Sequence, residues 1–141
     1  MINAYHLYYL SNLLFRFNIP ILPKIIKLFI FLIYNSSIPY QCSIGTGTRF
    51  AYSGIGVILH KKSVIKKNVL IGSGVVIGGK EGFVNVPVIG NNVKIATGAK
   101  ILGDITIGNN AIIGANAVVL KNVPDNAVVV GVPARIIKYI E

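Results

Sequence analysis

The apolar positions of this chain recur with a period of six over most of its length. In the segment 89–123 every sixth residue is a β-branched aliphatic, and the same register runs back to residue 59. The repeating positions are Leu59, Ile65, Ile71, Ile77, Ile89, Ile95, Ile101, Ile107, Ile113 and Val119. In that segment a further apolar residue follows each of them by four positions. Each hexad therefore predicts a short strand with one apolar side.

The third position after each repeating aliphatic predicts a tight turn. It holds Asn68, Gly74, Asn92, Gly98, Asp104, Asn110, Asn116 and Asn122. Asn, Asp and Gly reach the left-handed backbone region at low cost. A period of six does not fit a helix, and the segment lacks the period-two runs and hairpin signals of a sandwich or barrel. Since one hexad cannot bury its apolar side alone, the pattern predicts stacked repeats in a parallel β-helix.

The residues of the segment 86–137 resemble a known family. This segment reads VPVIGNNVKIATGAKILGDITIGNNAIIGANAVVLKNVPDNAVVVGVPARII. It is similar to the hexapeptide-repeat acyltransferases, in their serine acetyltransferase-like and polysaccharide O-acetyltransferase branch, and the GVPAR ending is the most diagnostic part. The resemblance covers roughly residues 38–138. It implies an all-β fold, namely a left-handed parallel β-helix of triangular section with three hexads per coil. It also implies a homotrimer that uses acetyl-CoA.

Composition and charge limit the classes of partner that the chain is expected to bind. The chain of 141 residues is 53% apolar and has a formal net charge of +10, which suggests an anionic partner such as a phosphorylated cofactor or membrane lipid. We expect no nucleic-acid partner, because no nucleic-acid-binding motif is present. The single Cys42 cannot form an intramolecular disulfide, so a reducing, cytoplasmic location is expected. We expect no metal site, because zinc-ligand spacing is missing.

Residues 1–40 form an N-terminal helical appendage to the β-helix domain of residues 41–141, which ends in a closing tail. The appendage has no sixfold period, and its aromatic residues fall near helical spacing. After Pro20 and Pro23 a second apolar helix is predicted over residues 24–34. Its uncharged run is too short to span a membrane. Two compatible roles remain: packing on the β-helix end and within a trimer, or peripheral contact with a membrane surface through Arg16, Lys24 and Lys27.

The first coil of the β-helix is irregular. Leu59 follows Phe50 by nine residues instead of six, which predicts a place where a pocket forms. The resemblance places a catalytic His in this coil, and here the matching position is Tyr52 or Ser53. Neither is a strong base at neutral pH. Both are therefore interpreted as substrate-binding residues.

His60 is the candidate catalytic residue. It directly follows Leu59 and is the only His in the repeat domain. An imidazole has a pKa near working pH, so it suits a general base that removes the proton from an acceptor hydroxyl. The alternative is an exposed corner residue with no role in catalysis.

The segment GGKEGFVNVP, residues 78–87, keeps the sixfold length but loses the pattern. It predicts an excursion that returns to the β-helix at Ile89. The resemblance implies a loop that overhangs the active site and, in serine acetyltransferases, carries a second His that is absent here. Asn85 is a candidate to bind substrate hydroxyls, while Lys80 and Glu81 are the loop's only ionisable groups.

The resemblance places the acetyl-CoA groove between adjacent subunits. An extended, amide-bearing pantetheine arm suits a groove floored by small residues. The candidate cofactor-binding residues are Gly78, Gly79, Lys80, Ala96, Gly98, Ala99, Lys100, Gly114, Ala115, Lys121 and Arg135. The cations Lys100, Lys121, Arg135 and Lys138 are candidates for the nucleotide phosphates. For each Gly or Ala, simple hexad packing is the alternative.

Together these features predict an acetyl-CoA-dependent O-acetyltransferase that transfers the acetyl group directly. A sugar hydroxyl of a surface polysaccharide, or of its lipid-linked precursor, is the favoured acceptor, because only Glu81 among the four acids is expected near the pocket to bind an amino group. Serine O-acetylation is the first alternative. The second is a non-catalytic trimeric β-helix scaffold.

Overall fold

The computed structural model describes residues 2–141 and has two helices followed by short strands. Helix α1 is Ala4–Arg16 and helix α2 is Leu22–Tyr34. The strands are β1 (Ser43–Ile44), β2 (Arg49–Phe50), β3 (Ile58–Leu59), β4 (Val64–Ile65), β5 (Leu70–Ile71), β6 (Val76–Gly78), β7 (Val88–Ile89), β8 (Lys94–Ile95), β9 (Lys100–Leu102), β10 (Thr106–Ile107), β11 (Ile112–Ile113), β12 (Val118–Val119), β13 (Ala127–Val130) and β14 (Arg135–Tyr139). A short 3-10 helix, Ala51–Gly54, follows β2.

The strands stack into three parallel sheets that form the faces of a triangular prism. Face A contains β1, β4, β7 and β10; face B contains β2, β5, β8, β11 and β13; face C contains β3, β6, β9 and β12. The chain visits the faces in the order A, B, C in every coil. In the regular coils, paired residues are three hexads apart, as in the pairing of Val88 with Thr106. The predicted left-handed parallel β-helix is confirmed.

The repeating aliphatics fill the interior of the prism. Nine-tenths or more of each of these side chains is hidden: Leu59, Ile65, Ile71, Ile77, Ile89, Ile95, Ile101, Ile107, Ile113 and Val119. Strand pairing places like residues on top of each other, for example Ile71, Ile95 and Ile113 on face B. Each buried side chain of this size contributes about 1.5–3 kcal/mol relative to an exposed one. The hexad period therefore exists because the strand on each face must send its aliphatic side chain into a shared core once in every coil.

Two of the three prism edges use left-handed turns. The A–B edge carries positive φ at Gly47, Asn68, Asn92, Asn110 and Asn126. The B–C edge carries positive φ at Gly56, Gly74, Gly98 and Asn116. These corners turn as the sequence predicts, because Gly and Asn adopt this backbone most cheaply.

The C–A edge, between face C and the next coil of face A, turns differently. Positive φ was predicted at Asp104 and Asn122, and for both residues the prediction is wrong. Gly103 takes the left-handed conformation beside Asp104, with φ 102. The side-chain oxygen of Asn122 instead accepts a hydrogen bond from the Thr106 backbone N–H at 2.8 Å. Most coils therefore do not require positive φ at this edge, and larger residues such as His60 and Lys121 occupy it beside its glycines.

Helix α1 closes the open end of the first coil. The Asn3 side-chain amide donates to the Phe50 carbonyl at 2.7 Å, and the Asn12 amide donates to the Tyr40 carbonyl at 2.8 Å. Tyr8 is buried and its hydroxyl donates to the Cys42 carbonyl. Ala4 and Tyr8 belong to the same core as the prism aliphatics. The predicted packing of the appendage on the β-helix end is thus confirmed for a single chain.

The other end of the prism closes with a hairpin. Strand β14 pairs antiparallel to β13, which itself pairs parallel to β11. The predicted last strand and closing tail are therefore both β-structure. Within residues 2–141, neither helix has the length and apolar character that crossing a bilayer requires.

Candidate functional site along two prism edges

The structure sorts the candidate residues onto the two edges that flank face C. Tyr52, Ser53, Ala96, Gly98, Gly114 and Ala115 lie on the B–C edge, at the turns that follow face B strands. His60, Gly78, Gly79 and Lys121 lie on the C–A edge, at the ends of face C strands, and Lys80 and Asn85 belong to the loop that leaves this edge. Face C separates the two groups, so one chain does not bring them together.

The turn after β2 holds Tyr52 in an uncommon conformation. Tyr52 and Ser53 have φ of 50° and 62°, and Gly54 has φ of 99°. A left-handed conformation is rare for a bulky residue and costs about 1–3 kcal/mol. The Tyr52 side chain is 75% exposed, whereas Gly54 packs so closely on α1 that an added Cβ would lie 2.7 Å from Ala4 Cβ. Helix packing thus fixes a turn that presents Tyr52 to solvent.

The small residues of the B–C edge are explained by packing. A Cβ added at Gly114 would lie 2.7 Å from Val130 Cγ1. Gly98 has φ of 76° and its Cβ position is occupied by the Asn116 side chain. Ala99 is 0% exposed and lies inside the prism, so it cannot line a surface groove as expected for a cofactor-binding residue. At these positions the hexad itself demands a small residue.

At Gly78 and Gly79 on the C–A edge, packing does not require a small residue. An added Cβ would be 3.7 Å from the Leu102 side chain at Gly78 and 3.6 Å from the Val86 side chain at Gly79, which are ordinary contact distances. Neither residue has positive φ. Because neither backbone geometry nor packing requires glycine here, the missing side chains leave open floor along this edge.

His60 lies at the first turn of the C–A edge, and hydrogen bonds hold its backbone in place. Its N–H donates to the Ile77 carbonyl at 2.9 Å, and its carbonyl accepts from the Ser63 N–H at 2.9 Å. The half-buried imidazole accepts a hydrogen bond at Nδ1 from the Lys62 backbone N–H at 3.1 Å. A backbone N–H can only donate, so in the neutral ring the proton resides on Nε2. The ring therefore presents a hydrogen-bond donor to its surroundings.

The predicted excursion spans residues 79–87 and its tip is solvent-exposed. Phe83 is exposed, and the Lys80 ammonium lies 5.7 Å from the centroid of its ring. The Asn85 amide donates to an Asp104 carboxylate oxygen at 3.4 Å. This contact was missed from sequence, where Asp104 was assigned to a turn alone. It brings a second acid, besides Glu81, to the loop on the C–A edge.

A cavity of about 550 Å³ lies where the C–A edge meets the closing hairpin. It brings together Lys121 and Arg135, two of the predicted phosphate ligands, with Pro133 and Ala134 of the GVPAR segment. Lys100 does not line it; the Lys100 ammonium donates to the Gly98 carbonyl on the B–C edge, at 2.5 Å. Lys138 lies farther along β14, paired with Val128.

Sequence reasoning missed a cleft between α1 and face B. This cleft, of about 530 Å³, is lined by His6 and Arg49 together with Asn3, Tyr5, Thr48, Phe50, Ala51 and Leu70. His6 lies in the appendage, forty-odd positions before Arg49. No sequence periodicity signals this meeting, because only the docking of α1 on the first coil creates it.

Cys42 is not a candidate nucleophile. It is fully buried, and burial raises the pKa of its thiol to about 12. The reactive thiolate is therefore absent at neutral pH. Across residues 2–141 no three His, Cys, Asp or Glu side chains come together as a metal site would require.

The chain matches known proteins by repeat and by fold. Residues 87–121 match the family model "Bacterial transferase hexapeptide (six repeats)". Solved serine acetyltransferases superpose over nearly the whole chain. One from Brucella abortus strain S19, in complex with coenzyme A, has a TM-score of 0.92 and 32% identity and covers 98% of this chain. Another, in complex with cysteine, has a TM-score of 0.88, 36% identity and the same coverage.

A soybean serine acetyltransferase complexed with serine has a TM-score of 0.87 and 34% identity over 95% of this chain. The chain spans only about half the length of these relatives, covering 56% of the Brucella and soybean enzymes and 54% of the cysteine complex. No curated protein sequence matches it. The chain therefore shares the repeat, over residues 87–121, and the fold, over nearly its whole length, of the hexapeptide-repeat acyltransferases.

Proposed function

We propose that the protein is an acetyl-CoA-dependent O-acetyltransferase whose cofactor lies along the C–A edge. The observation that carries this proposal is the alignment of three features on one edge. His60 stands at one end, Gly78 and Gly79 leave open floor next to it, and the cavity of Lys121 and Arg135 lies at the other. Parallel strands are spaced about 4.8 Å apart, so the three coil steps from His60 to Lys121 span about 14 Å. Solved relatives with coenzyme A support the choice of cofactor.

Each part of the edge has a chemical task. Acetyl-CoA supplies an acetyl group activated as a thioester. The guanidinium of Arg135 and the ammonium of Lys121 suit nucleotide phosphates. The bare backbone at Gly78 and Gly79 lets an amide-bearing arm lie close to the chain. The side chains nearest to an added Cβ are Leu102 at Gly78 and Val86 at Gly79, at 3.7 and 3.6 Å.

His60 can assist transfer through Nε2. With Nδ1 held by the Lys62 amide, the Nε2–H can donate to the thioester oxygen as negative charge develops there. Service as the predicted general base requires a different proton arrangement, in which Nδ1 carries the proton and the contact with the Lys62 N–H is released. His6, in the cleft on face B with Arg49, is the chain's other imidazole, and it reaches this edge only if a neighbouring copy brings it there.

We propose a homotrimer that completes the site. Tyr52 and Ser53 lie on one edge of face C and His60 on the other, so only a neighbouring copy can bring the two edges together. A cyclic trimer uses a heterologous interface, in which one surface of each copy meets a different surface of the next. The predicted groove between subunits then lies between the B–C edge of one copy and the C–A edge of another.

Two acceptors compete. Serine is favoured by the solved relatives, one of which is complexed with serine. The Asp104 carboxylate beside Asn85 also provides an acid that could receive an amino group. A sugar hydroxyl is favoured by the exposed aromatic ring of Tyr52, and by Tyr52 and Ser53 standing where serine acetyltransferase-like sequences carry a catalytic His. The comparisons weigh more heavily for serine, while the chain's own residues keep the polysaccharide acceptor open.

An acetyl-CoA consumption assay tests the proposal. The purified chain is offered serine, nucleotide sugars and oligosaccharides, and free CoA release is followed. We expect release with at least one acceptor. A kcat/KM of about 10⁴ M⁻¹s⁻¹ or more for serine would assign a native substrate and exclude the glycan proposal. CoA binding without turnover for any acceptor would instead favour the trimeric scaffold. Light scattering that finds an active monomer would contradict the trimeric site.

A further inference from the structure

The second helix carries apolar side chains on the side that faces away from the protein. Its inner side is formed by Pro23, Ile26, Ile30 and Tyr34, which are buried. The opposite side carries Ile25, Leu28, Phe29 and Leu32, which are 42%, 54%, 51% and 65% exposed. Their spacing of three, four and seven residues places them on one stripe, here called the α2 outer stripe. A helix with apolar residues on two opposite sides is normally covered on both, and within residues 2–141 no segment covers this stripe.

Cations lie near the α2 outer stripe, and no carboxylate balances them. Lys24 and Lys27 lie on α2, and Arg16 ends α1. All four acidic residues of the chain occur from Glu81 onward. Packing this region against the same region of a second copy would therefore bring like charges together. The charge pattern instead requires a partner that is apolar and anionic at once.

We propose that the α2 outer stripe docks on the interface of an anionic phospholipid bilayer. Thirteen residues of helix extend about 20 Å, which suits a helix lying in the plane of the interface. Leu28, Phe29 and Leu32 then enter the acyl boundary, while Lys24 and Lys27 remain at the level of the phosphate groups. This inference uses none of the residues of the C–A edge and is independent of the proposed reaction.

Vesicle flotation with the full chain tests the docking. Vesicles of phosphatidylcholine alone are compared with vesicles that also contain phosphatidylglycerol. We expect flotation with the anionic vesicles and a decline as salt is added. The Lys24→Gln/Lys27→Gln variant should partition about twenty-five-fold more weakly, since each lysine near an anionic leaflet contributes on the order of fivefold.

Leu32→Glu places a carboxylate in the α2 outer stripe. We expect this variant to partition onto anionic vesicles at least about a hundredfold more weakly than the unaltered chain. Ile137→Glu is the matched control, because Ile137 is 59% exposed on β14 at the other end of the molecule. It should float like the unaltered chain. Circular dichroism is used to check that both variants are folded. We expect both to fold, because both substituted residues are exposed.

Two outcomes would overturn the proposal. One is that the unaltered chain does not float with anionic vesicles at low salt. The other is that Leu32→Glu floats as well as the unaltered chain. If Leu32→Glu also lowers the oligomeric mass in light scattering, the α2 outer stripe is assigned to a contact between copies of this chain.

Discussion

The B–C edge and the C–A edge are built from the same repeat, yet packing requires glycine at positions on the B–C edge and does not require it at Gly78 and Gly79 on the C–A edge. On the B–C edge an added Cβ at Gly72 would lie 2.6 Å from the Thr97 backbone nitrogen, so the next coil forbids a side chain. On the C–A edge Gly78 and Gly79 have ordinary space for one. A glycine that the fold needs cannot be taken as a sign of a ligand. A glycine that the fold does not require is a better indication that a ligand lies against the backbone.

Removing His60 should cause the largest effect. We expect His60→Ala to lower kcat about 10²–10⁴-fold with little change in acetyl-CoA affinity. His60→Gln is the matched variant, because its amide keeps a donor near the Nε2 position but cannot take a proton. Partial activity in the Gln variant would assign His60 a donor role, and a loss equal to that of Ala would assign the base role. Unaltered turnover in both variants would move attention to His6, tested by His6→Ala.

Stability measurements test directly whether packing requires glycine at Gly72 but not at Gly78. We expect Gly72→Ala to lower the free energy of unfolding by about 3 kcal/mol, because the new methyl group must displace the backbone of the next coil. Gly78→Ala should change it by less than about 0.5 kcal/mol. Urea unfolding of the two variants provides the values. Equal losses would show that both edges are packed alike.

A bulky residue at Gly79 should affect the cofactor more than the fold. We expect Gly79→Val to weaken acetyl-CoA binding about tenfold, since its methyl groups occupy the open floor and tenfold corresponds to about 1.4 kcal/mol. Ser43→Val, which adds similar bulk to an exposed position on face A, serves as control. Calorimetric titration with CoA measures both. Identical affinities would exclude the C–A edge as the cofactor groove.

The smallest effect is expected on the remaining A–B edge, which carries no candidate site residue. Asn110 has φ of 62° and its amide donates to Asn126 at 3.0 Å. Asn110→Ala should destabilise the fold by about 1 kcal/mol through the left-handed backbone and leave activity unchanged. Thermal unfolding and the acetyl-CoA assay, run on the same sample, separate the two properties. A drop in activity would extend the site to a third edge.

The sequence predicted the β-helix well because its signal is local and repeated. Burial of Ile95, Ile101 and Ile107 follows from the sixfold period alone, and so do the left-handed turns at Asn92 and Asn110. The turns of the third edge were not predictable in the same way. Asp104 and Asn122 are residues that favour positive φ, but this corner closes through Gly103 and through a side-chain hydrogen bond to Thr106.

The candidate site was harder to predict because it depends on neighbours distant in sequence. The meeting of Lys121 with Arg135 depends on how the hairpin of β13 and β14 folds back. The contact of Asn85 with Asp104 depends on the path of the excursion. Small residues gave equal signals on both edges, and only the positive φ of Gly98 and the distances to neighbouring atoms separate it from Gly79.

The excursion on the C–A edge also shows where this architecture tolerates added length. Residues 79–87 leave after β6 and return at β7, yet β6 still pairs with β9 and β7 still pairs with β4. The coils on either side stack as though the loop were not there. Since this corner makes no fixed demand on backbone conformation, its length and composition can vary independently of the core. A protein engineer who wished to graft a new recognition loop onto this scaffold would insert it here.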